Sequence, residues 1–327
     1  MPGMSRPTVL LGARVAAAFM ERLAERYDVL GPLAPPFPQA VAAMSAAEAA
    51  RVRALVTMGA MDTSRTALDA LPALGLVACV GSGFEGVDLA AARARGIAVT
   101  HSPGANASAV ADLAVGLMIA TVRHFPEGNA FLRSGAWSGN YARRMAPVRG
   151  LTGRRLGILG LGTIGEKIAR RAAAFEMEIG YHNRHRRDDV PHAYFATLHA
   201  LALWADVLVV AARANAATRH LVNADVLAAL GPDGHVVNIA RGFVIDETAL
   251  VTALRGGVIA GAGLDVYEHE PQVPEGLLSL DNVVLLPHMG GGTHEAQVAM
   301  QDMVWANLDA FFAGRPVATP VPATGSG

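Results

Sequence analysis

Arg155-Leu-Gly-Ile-Leu-Gly160-Leu-Gly162-Thr-Ile-Gly165-Glu-Lys-Ile-Ala decides how the rest of the chain is read. An apolar run leads into Gly160-x-Gly162-x-x-Gly165, and the turn opens an Ala- and Arg-rich helical pattern. Each glycine answers a separate steric demand. Gly160 permits a tight turn off a strand, Gly162 lets backbone approach a pyrophosphate, and Gly165 allows a helix to pack closely on the sheet. The helix N-terminus then offers unpaired N–H groups and a partial positive charge to phosphates. A strand before the turn and a helix after it mark a dinucleotide site, expected to use Gly160, Leu161, Gly162, Thr163, Ile164 and Gly165.

The end of the next strand bears on which dinucleotide. Sites selective for NAD place Asp or Glu roughly 20 residues on, where it accepts hydrogen bonds from the ribose. Here Ile179-Gly-Tyr-His-Asn183-Arg184-His-Arg186-Arg187 has a neutral Asn183 at that place and three arginines after it. A carboxylate would repel a 2′-phosphate, whereas an amide and guanidinium groups would bind it by charge-assisted hydrogen bonds. NADP(H) is the preferred cofactor on this ground, contacted by Asn183 and Arg184, with NAD(H) left open. Asp188 and Asp189 nearby also allow a plainer reading, a solvated basic turn.

Outward from this unit, short apolar runs alternate with helical patterns, which argues for parallel sheets with crossover helices. Strand patterns stand at 8–11, 27–30, 54–58, 76–80 and 97–99, with helical ones at 15–25, 65–71 and 88–95. A long helical stretch, 106–123, carries Asp112 as its one acid, and a polar segment follows at 134–150. Further strands are expected at 155–159, 178–181, 207–211, 235–239, 258–261 and 283–286, and a last helix at 293–312. Six strands headed by a glycine-rich turn match a Rossmann domain. The expected fold is α/β with two Rossmann/flavodoxin-like domains. A nucleotide-binding domain, 102–289, is inserted into a discontinuous substrate-binding (catalytic) domain, 1–101 plus 290–327, with the active site in the cleft. The Pro-rich stretch 31–38 and the tail 319–327 read as loop or frayed end.

Composition narrows the function classes. A chain of 327 residues, 52% hydrophobic and 17% charged, is globular and long enough for two domains of ~150 residues. A net charge of −1 gives no bulk reason to bind nucleic acid or an anionic membrane. No apolar run approaches the ~18 residues of a membrane span, and Gly12 and Arg14 interrupt the first one, unlike a signal peptide. The single cysteine, Cys79, reads as a small core residue and fits a reducing compartment. A cytoplasmic protein without a metal site is expected.

Hydride transfer from a dinucleotide to a carbonyl needs an acid for the incipient alkoxide, a neighbour that keeps that acid protonated and, for an anionic substrate, a cation. Candidates lie where the later strands end, the side on which open α/β sheets bind ligands. Arg241 follows an apolar strand in Val237-Asn-Ile-Ala-Arg-Gly, and its fork suits a planar carboxylate. Glu270 and His288 follow the next two strands, and a carboxylate beside an imidazole favours the imidazolium. His269 and His101 are rival acids and Glu268 is a rival partner. Spacing alone does not choose among them.

Six stretches together carry a resemblance: VGSGFEGVD (80–88), HSPGANASAVADLAVGL (101–117), GILGLGTIG (157–165), NIARG (238–242), GLDVYEHEP (263–271) and PHMGGGT (287–293). In them the chain resembles the D-isomer-specific 2-hydroxyacid dehydrogenases over essentially its full length. The segment VADLAVGL, the stretch Arg133-Ser-Gly-Ala-Trp137 and the basic turn are most similar to the glyoxylate/hydroxypyruvate and hydroxyphenylpyruvate reductase branch. The resemblance implies an NADPH-preferring homodimer that reduces a small 2-keto acid to the D-2-hydroxy acid, with the 106–123 helix in the dimer interface. It further implies Arg241 as substrate-binding arginine, His288 as acid/base and Glu270 as its partner. Asp265 is implied near the nicotinamide, with Ala240, His288 and Gly290 among the cofactor contacts. Backbone N–H groups of Ser82 and Gly83 are implied to meet the substrate carboxylate, with Met58 beside them. An arylpyruvate substrate, which would need room near Met58, Gly59, Phe84 and a partner's Trp137 and Tyr141, stays open. So does a dinucleotide-sensing binding protein on the same scaffold. Three departures stand out: Arg213 in place of a proline-bearing turn, Glu176 in place of a glycine, and an unusually glycine-rich Gly290–Gly292.

Overall fold

The computed structural model describes residues 6–137 and 147–322. Short, mostly apolar runs become strands, several of them (8–11, 76–80, 207–210, 235–238) buried along their whole length, as parallel sheets favour. In the smaller compact unit, Met1–Asn106 with Thr293–Gly327, five such strands form one sheet. They are β1 (Thr8–Leu11), β2 (Asp28–Leu30), β3 (Val52–Met58), β4 (Leu76–Val80) and β5 (Ala98–Thr100). Their spatial order is β2-β1-β3-β4-β5, all parallel, the flavodoxin-like arrangement. Helices α1 (Ala17–Arg26), α4 (Arg65–Asp69) and α5 (Leu89–Ala94) stand near the expected places.

Two short helices in this unit were not foreseen, α2 (Phe37–Ala42) and α3 (Ala46–Ala49). The Pro-rich lead reads as loop, yet proline suits a helix's first turn, and α2 buries Phe37 and Val41. A capping box between Ser45 and Glu48 opens α3. The C-terminal helix α13 (His294–Phe312) returns to this unit. Its Met300 carbonyl accepts from Ser102 Oγ, Phe311 fits the space beside Gly75, and Arg22 lies 4.3 Å over the Trp305 ring. Val321 N–H then donates to Val99 O, so part of the expected frayed tail lies along β5.

The larger unit, Ala107–Gly292, contains α6 (Ala107–Val122), α7 (Phe125–Arg133), β6 (Arg155–Leu159), α8 (Thr163–Ala173), β7 (Glu178–His182), β8 (Ala193–Tyr194) and α9 (Leu198–Trp204). It continues with β9 (Val207–Val210), α10 (Ala224–Leu230), β10 (His235–Asn238), α11 (Glu247–Arg255), β11 (Gly261–Leu264), α12 (Glu275–Leu278) and β12 (Val283–Leu285). The sheet order is β12-β11-β10-β9-β6-β7-β8, all parallel. Read outward from β6, this is the Rossmann order, with its reversal between β6 and β9. One strand more is present than the six expected, since β8 is only two residues long and has no period to detect. The expected strand 258–261 is displaced to Gly261–Leu264. Apolar Val258 is 39% exposed, and the glycines of β11 let α6 lie directly on the sheet.

That contact accounts for the buried apolar faces of α6, while Ser108, Asp112 and Gly116 are exposed. The helix is packed against α8 on one side and β10, β11 and β12 on the other. The divide between the units falls at Asn106/Ala107 and Gly292/Thr293. The first lies beyond residue 101 because Ser102 N–H donates to Gly81 O. The second lies beyond 289 because the Met289 and Gly290 amides are bonded to Asp265. No single helix among the described residues is long and apolar enough to cross a membrane.

Candidate active site

Every expected dinucleotide and catalytic residue of the larger unit lies beyond the C-terminal end of a strand. The fingerprint follows β6. Gly160 has φ +97, and a Cβ there would lie 2.5 Å from the backbone of Ala212 in the loop after β9. A Cβ at Gly165 would lie 2.3 Å from Gly160 O, so the helix and turn touch directly. At Gly162, by contrast, a Cβ would meet nothing within 4 Å. Gly162 is the N-cap of α8 and supplies no side-chain cap, leaving first-turn N–H groups for another acceptor. A turn closed at Gly160 and Gly165 and open at Gly162 fits a pyrophosphate. Leu161, Thr163 and Ile164 lie within the same turn.

After β7 the arginines differ in their environments. Asn183 Oδ1 accepts from Leu161 N–H at 2.7 Å, tying the strand end to the fingerprint. Arg187 donates to Leu161 O at 3.1 Å and pairs with Glu166 and Asp189. Arg186 pairs with Asp188 at 3.3 Å. Arg184 is exposed and has no ion pair among the described residues. Asn183 therefore shapes the turn with its side-chain oxygen, and Arg184 is the arginine left for a ligand. The loop with Arg213 is a capped 3-10 turn, Ala216–Thr218, with Asn215 accepting from Ala217 N–H at 2.9 Å.

The acid/base candidates are sorted by contact. His288 Nδ1 lies 2.6 Å from Glu270 Oε2, while the other oxygen of Glu270 accepts from Tyr267 N–H at 3.1 Å. Burial pushes the Glu270 carboxyl up, but the bonds from His288 and Tyr267 and the charges of His288 and Arg241 together hold it below the usual value. The rivals are elsewhere. Glu268 is engaged by His220 and Arg219. His269 is exposed, and His101, in the smaller unit, bonds Ser82 O at 2.9 Å.

Backbone geometry presents these groups. His288 is in the left-handed region at φ +51, and buried Asp265 holds the following loop by accepting from Met289 N–H at 2.7 Å and Gly290 N–H at 2.8 Å. Burial raises the Asp265 carboxyl, only partly offset by those two amides and the His288 charge. Arg241 follows β10, where buried Asn238 accepts from Ala240 N–H at 3.1 Å and donates to Arg241 O at 3.0 Å. Asn238 and Tyr267, whose hydroxyl donates to Leu286 O at 3.0 Å, were missed as site-building residues. Both lie inside motifs noticed for their charged members, and a buried polar group at a strand end was the available signal.

In the smaller unit the expected substrate residues are neighbours on adjacent strands. Met58 ends β3 with Gly59 next to it, and Ser82 and Gly83 follow β4. A Cβ on Gly59 would lie 1.8 Å from Gly83 O, so these two backbones are in contact. Ser82 Oγ is turned toward Ser102 O (3.3 Å) and Asn106 Oδ1 (3.1 Å). Phe84 meets His101 edge-on, ring centroids 5.2 Å apart, and Met58 is 41% exposed. Trp137 is exposed, and Tyr141 lies outside the described residues. No cluster of three metal-ligating side chains occurs among the described residues.

A dinucleotide fingerprint beside a carboxylate–imidazole pair and an arginine defines an oxidoreductase that uses a nicotinamide dinucleotide. Residues 115–290 match the D-isomer specific 2-hydroxyacid dehydrogenase NAD binding domain, and the chain belongs to that family. It is 43% identical over 249 residues to a hydroxyphenylpyruvate reductase of Plectranthus scutellarioides, covering 76% of this chain and 78% of that one. A glyoxylate/hydroxypyruvate reductase A of Arabidopsis thaliana is also 43% identical, over 248 residues, with the same coverage. Among solved structures, the NADPH-dependent glyoxylate/hydroxypyruvate reductase of Sinorhizobium meliloti in complex with NADP and malonate superposes with a TM-score of 0.88. It is 41% identical and covers 97% of both chains.

Proposed function

We propose that this enzyme reduces a small 2-keto acid, of the glyoxylate or hydroxypyruvate kind, to its D-2-hydroxy acid. The observation that carries the proposal is the 2.6 Å contact of His288 with Glu270, under the influence of the Arg241 charge. The dinucleotide would be held by Gly160–Gly165, Asn183, Arg184, Ala240, Asp265, His288 and Gly290, and when bound in its reduced form it supplies a hydride. Arg241 grips the substrate carboxylate and polarises the carbonyl; in the smaller unit the Ser82 and Gly83 amides and Met58 are the groups offered to the substrate. His288, held by Glu270, gives its proton to the carbonyl oxygen. General acid help of this kind contributes ~10²–10⁴-fold. His288→Ala should lower turnover by at least ~10²-fold while dinucleotide binding, followed by fluorescence, is kept.

NADPH is the preferred reductant in this proposal, because Arg184 at the end of β7 offers a guanidinium where a 2′-phosphate would lie. The similar Sinorhizobium reductase is NADPH-dependent, which supports the same choice. The enzyme works in the cytoplasm as a homodimer, for which exposed Phe125, Leu132 and Trp137, on and just after α7, offer an apolar face. The direct test follows nicotinamide absorbance with glyoxylate, hydroxypyruvate and 4-hydroxyphenylpyruvate, each with NADPH and NADH. Fast NADPH oxidation with the small acids is expected. Oxidation with the aryl acid alone would overturn the small-substrate assignment.

A further inference from the structure

The turn carrying Arg241 and the loop carrying Glu270 meet backbone to backbone. A Cβ at Gly242 would lie 1.8 Å from the carbonyl carbon of Tyr267 and 2.1 Å from the Glu268 nitrogen. Such a contact has no interlocking side chain, so directional polar bonds must set its register. Those bonds converge on two residues that the catalytic proposal does not use. The Glu268 carboxylate, with its side chain 11% exposed, has both oxygens 3.2 Å from His220 Nε2 and also pairs with Arg219. His220 N–H donates to Phe243 O at 2.8 Å, two residues past Arg241, and Val222 N–H donates to Val244 O at 3.0 Å. From the other side, Glu268 N–H donates to Glu247 Oε1 at 2.8 Å. One residue before Glu268, Tyr267 N–H holds the carboxylate of Glu270.

His220 also has φ +50, a conformation that costs a non-glycine residue ~1–3 kcal/mol and persists only where surrounding structure enforces it. We propose that His220 and Glu268 are positioning residues, an imidazole–carboxylate clamp that locks the Glu270 loop against the Arg241 turn and so brings Glu270 within reach of His288. Arg219 is the weaker partner, since its side chain is 56% exposed and surface pairs contribute little. His269 and Glu247 flank the clamp without closing it. The inference rests on the proposed acid role of His288 for its effect on turnover, but not for its effect on Glu270 itself.

The test uses full-length His220→Ala, His220→Gln and Glu268→Gln. Slackening by an ångström near the reacting groups costs up to ~10²-fold, so His220→Ala should lower kcat with the keto acid about tenfold or more. Dissociation constants for the reduced dinucleotide should stay within twofold, and His220→Gln, which retains an N–H donor, should recover part of the loss. Independently of turnover, the Glu270 carboxyl is titrated by carbon NMR in Glu268→Gln. Loss of a neighbouring anion alone would move that titration to lower pH, whereas release of Glu270 from His288 and Tyr267 moves it higher. A rise supports the clamp, and a fall or no change overturns it, whether or not the wild type is active. A wild type inactive on every keto acid defeats the proposed function and leaves the titration to decide the clamp. Should His220→Ala not fold, the near-isosteric Glu268→Gln carries both measurements.

Discussion

At the scale of single residues, what matters is which charges are already spent. Arg187 is bound to Leu161 O, Glu166 and Asp189, and Arg186 faces Asp188, so their charges are largely committed within the turn. Arg184→Ala should therefore raise the Michaelis constant for NADPH about tenfold, one charge-assisted contact being worth ~1.5–3 kcal/mol, and leave that for NADH nearly unchanged. An equal effect on both would place Arg184 away from the 2′-phosphate. The same accounting separates His288 from its rivals: Glu270 bonds His288 and feels the Arg241 charge, whereas Glu268 already serves His220 and Arg219. Sequence spacing could not make that distinction, because residues 268 and 270 differ by two positions and both follow the same strand. Cys79 was legible from its apolar neighbours, and burial pushes its thiol up to about 12. Native protein should react with a thiol reagent only at the rate at which it unfolds, seen as coincidence of labelling and unfolding.

At the scale of elements, two departures from local preference have tertiary causes. Glu176 stands just after α8 with φ +60 and accepts from Gly153 N–H, a left-handed helix exit that favours glycine. The left-handed conformation costs ~1–2 kcal/mol, and glycine gives back up to ~1 kcal/mol through unfolded-state freedom. Glu176→Gly should thus stabilise the protein by up to about 1 kcal/mol in denaturant unfolding, with activity unchanged. The displaced strand β11 shows the reverse case. A Cβ on Gly263 would lie 2.8 Å from Thr121 Oγ1 and 3.3 Å from Leu117 Cβ of α6. Gly263→Ala should cost about 1–3 kcal/mol in the same assay by forcing helix and sheet apart. Glycine disfavours a strand locally, and only the helix above it explains why it is kept.

At the scale of the whole molecule, stability depends on a group far from the chemistry. His235 begins β10, and burial, then the neighbouring Arg154 charge, push its imidazole down to about 4. Its folded value lies below the ordinary ~6.5, so its contribution to stability is complete above that pH and is lost as pH falls toward about 4. The melting temperature should drop across this window, and His235→Phe should flatten the slope whatever it does to the absolute value. Glu270 behaves in the same sense at lower pH, since its depressed carboxyl stabilises above the ordinary carboxylate range and ceases to as that group is protonated.

Strand runs, the glycine fingerprint and the missing acid after β7 were determined by the sequence itself, because period, steric size and charge are local properties. The alternation of strands and helices likewise made two parallel α/β units legible, with the C-terminal helix closing the first. Tertiary structure alone decided that Glu270 and not Glu268 meets His288, and that Asp265 holds the loop after His288. It also decided that β11 begins at Gly261 and that most of α6 is buried within its own unit, with Ser108, Asp112 and Gly116 on its exposed face. Each of these depends on distances between segments far apart in the chain, which are set by packing and by hydrogen bonds that close only once the sheet is assembled.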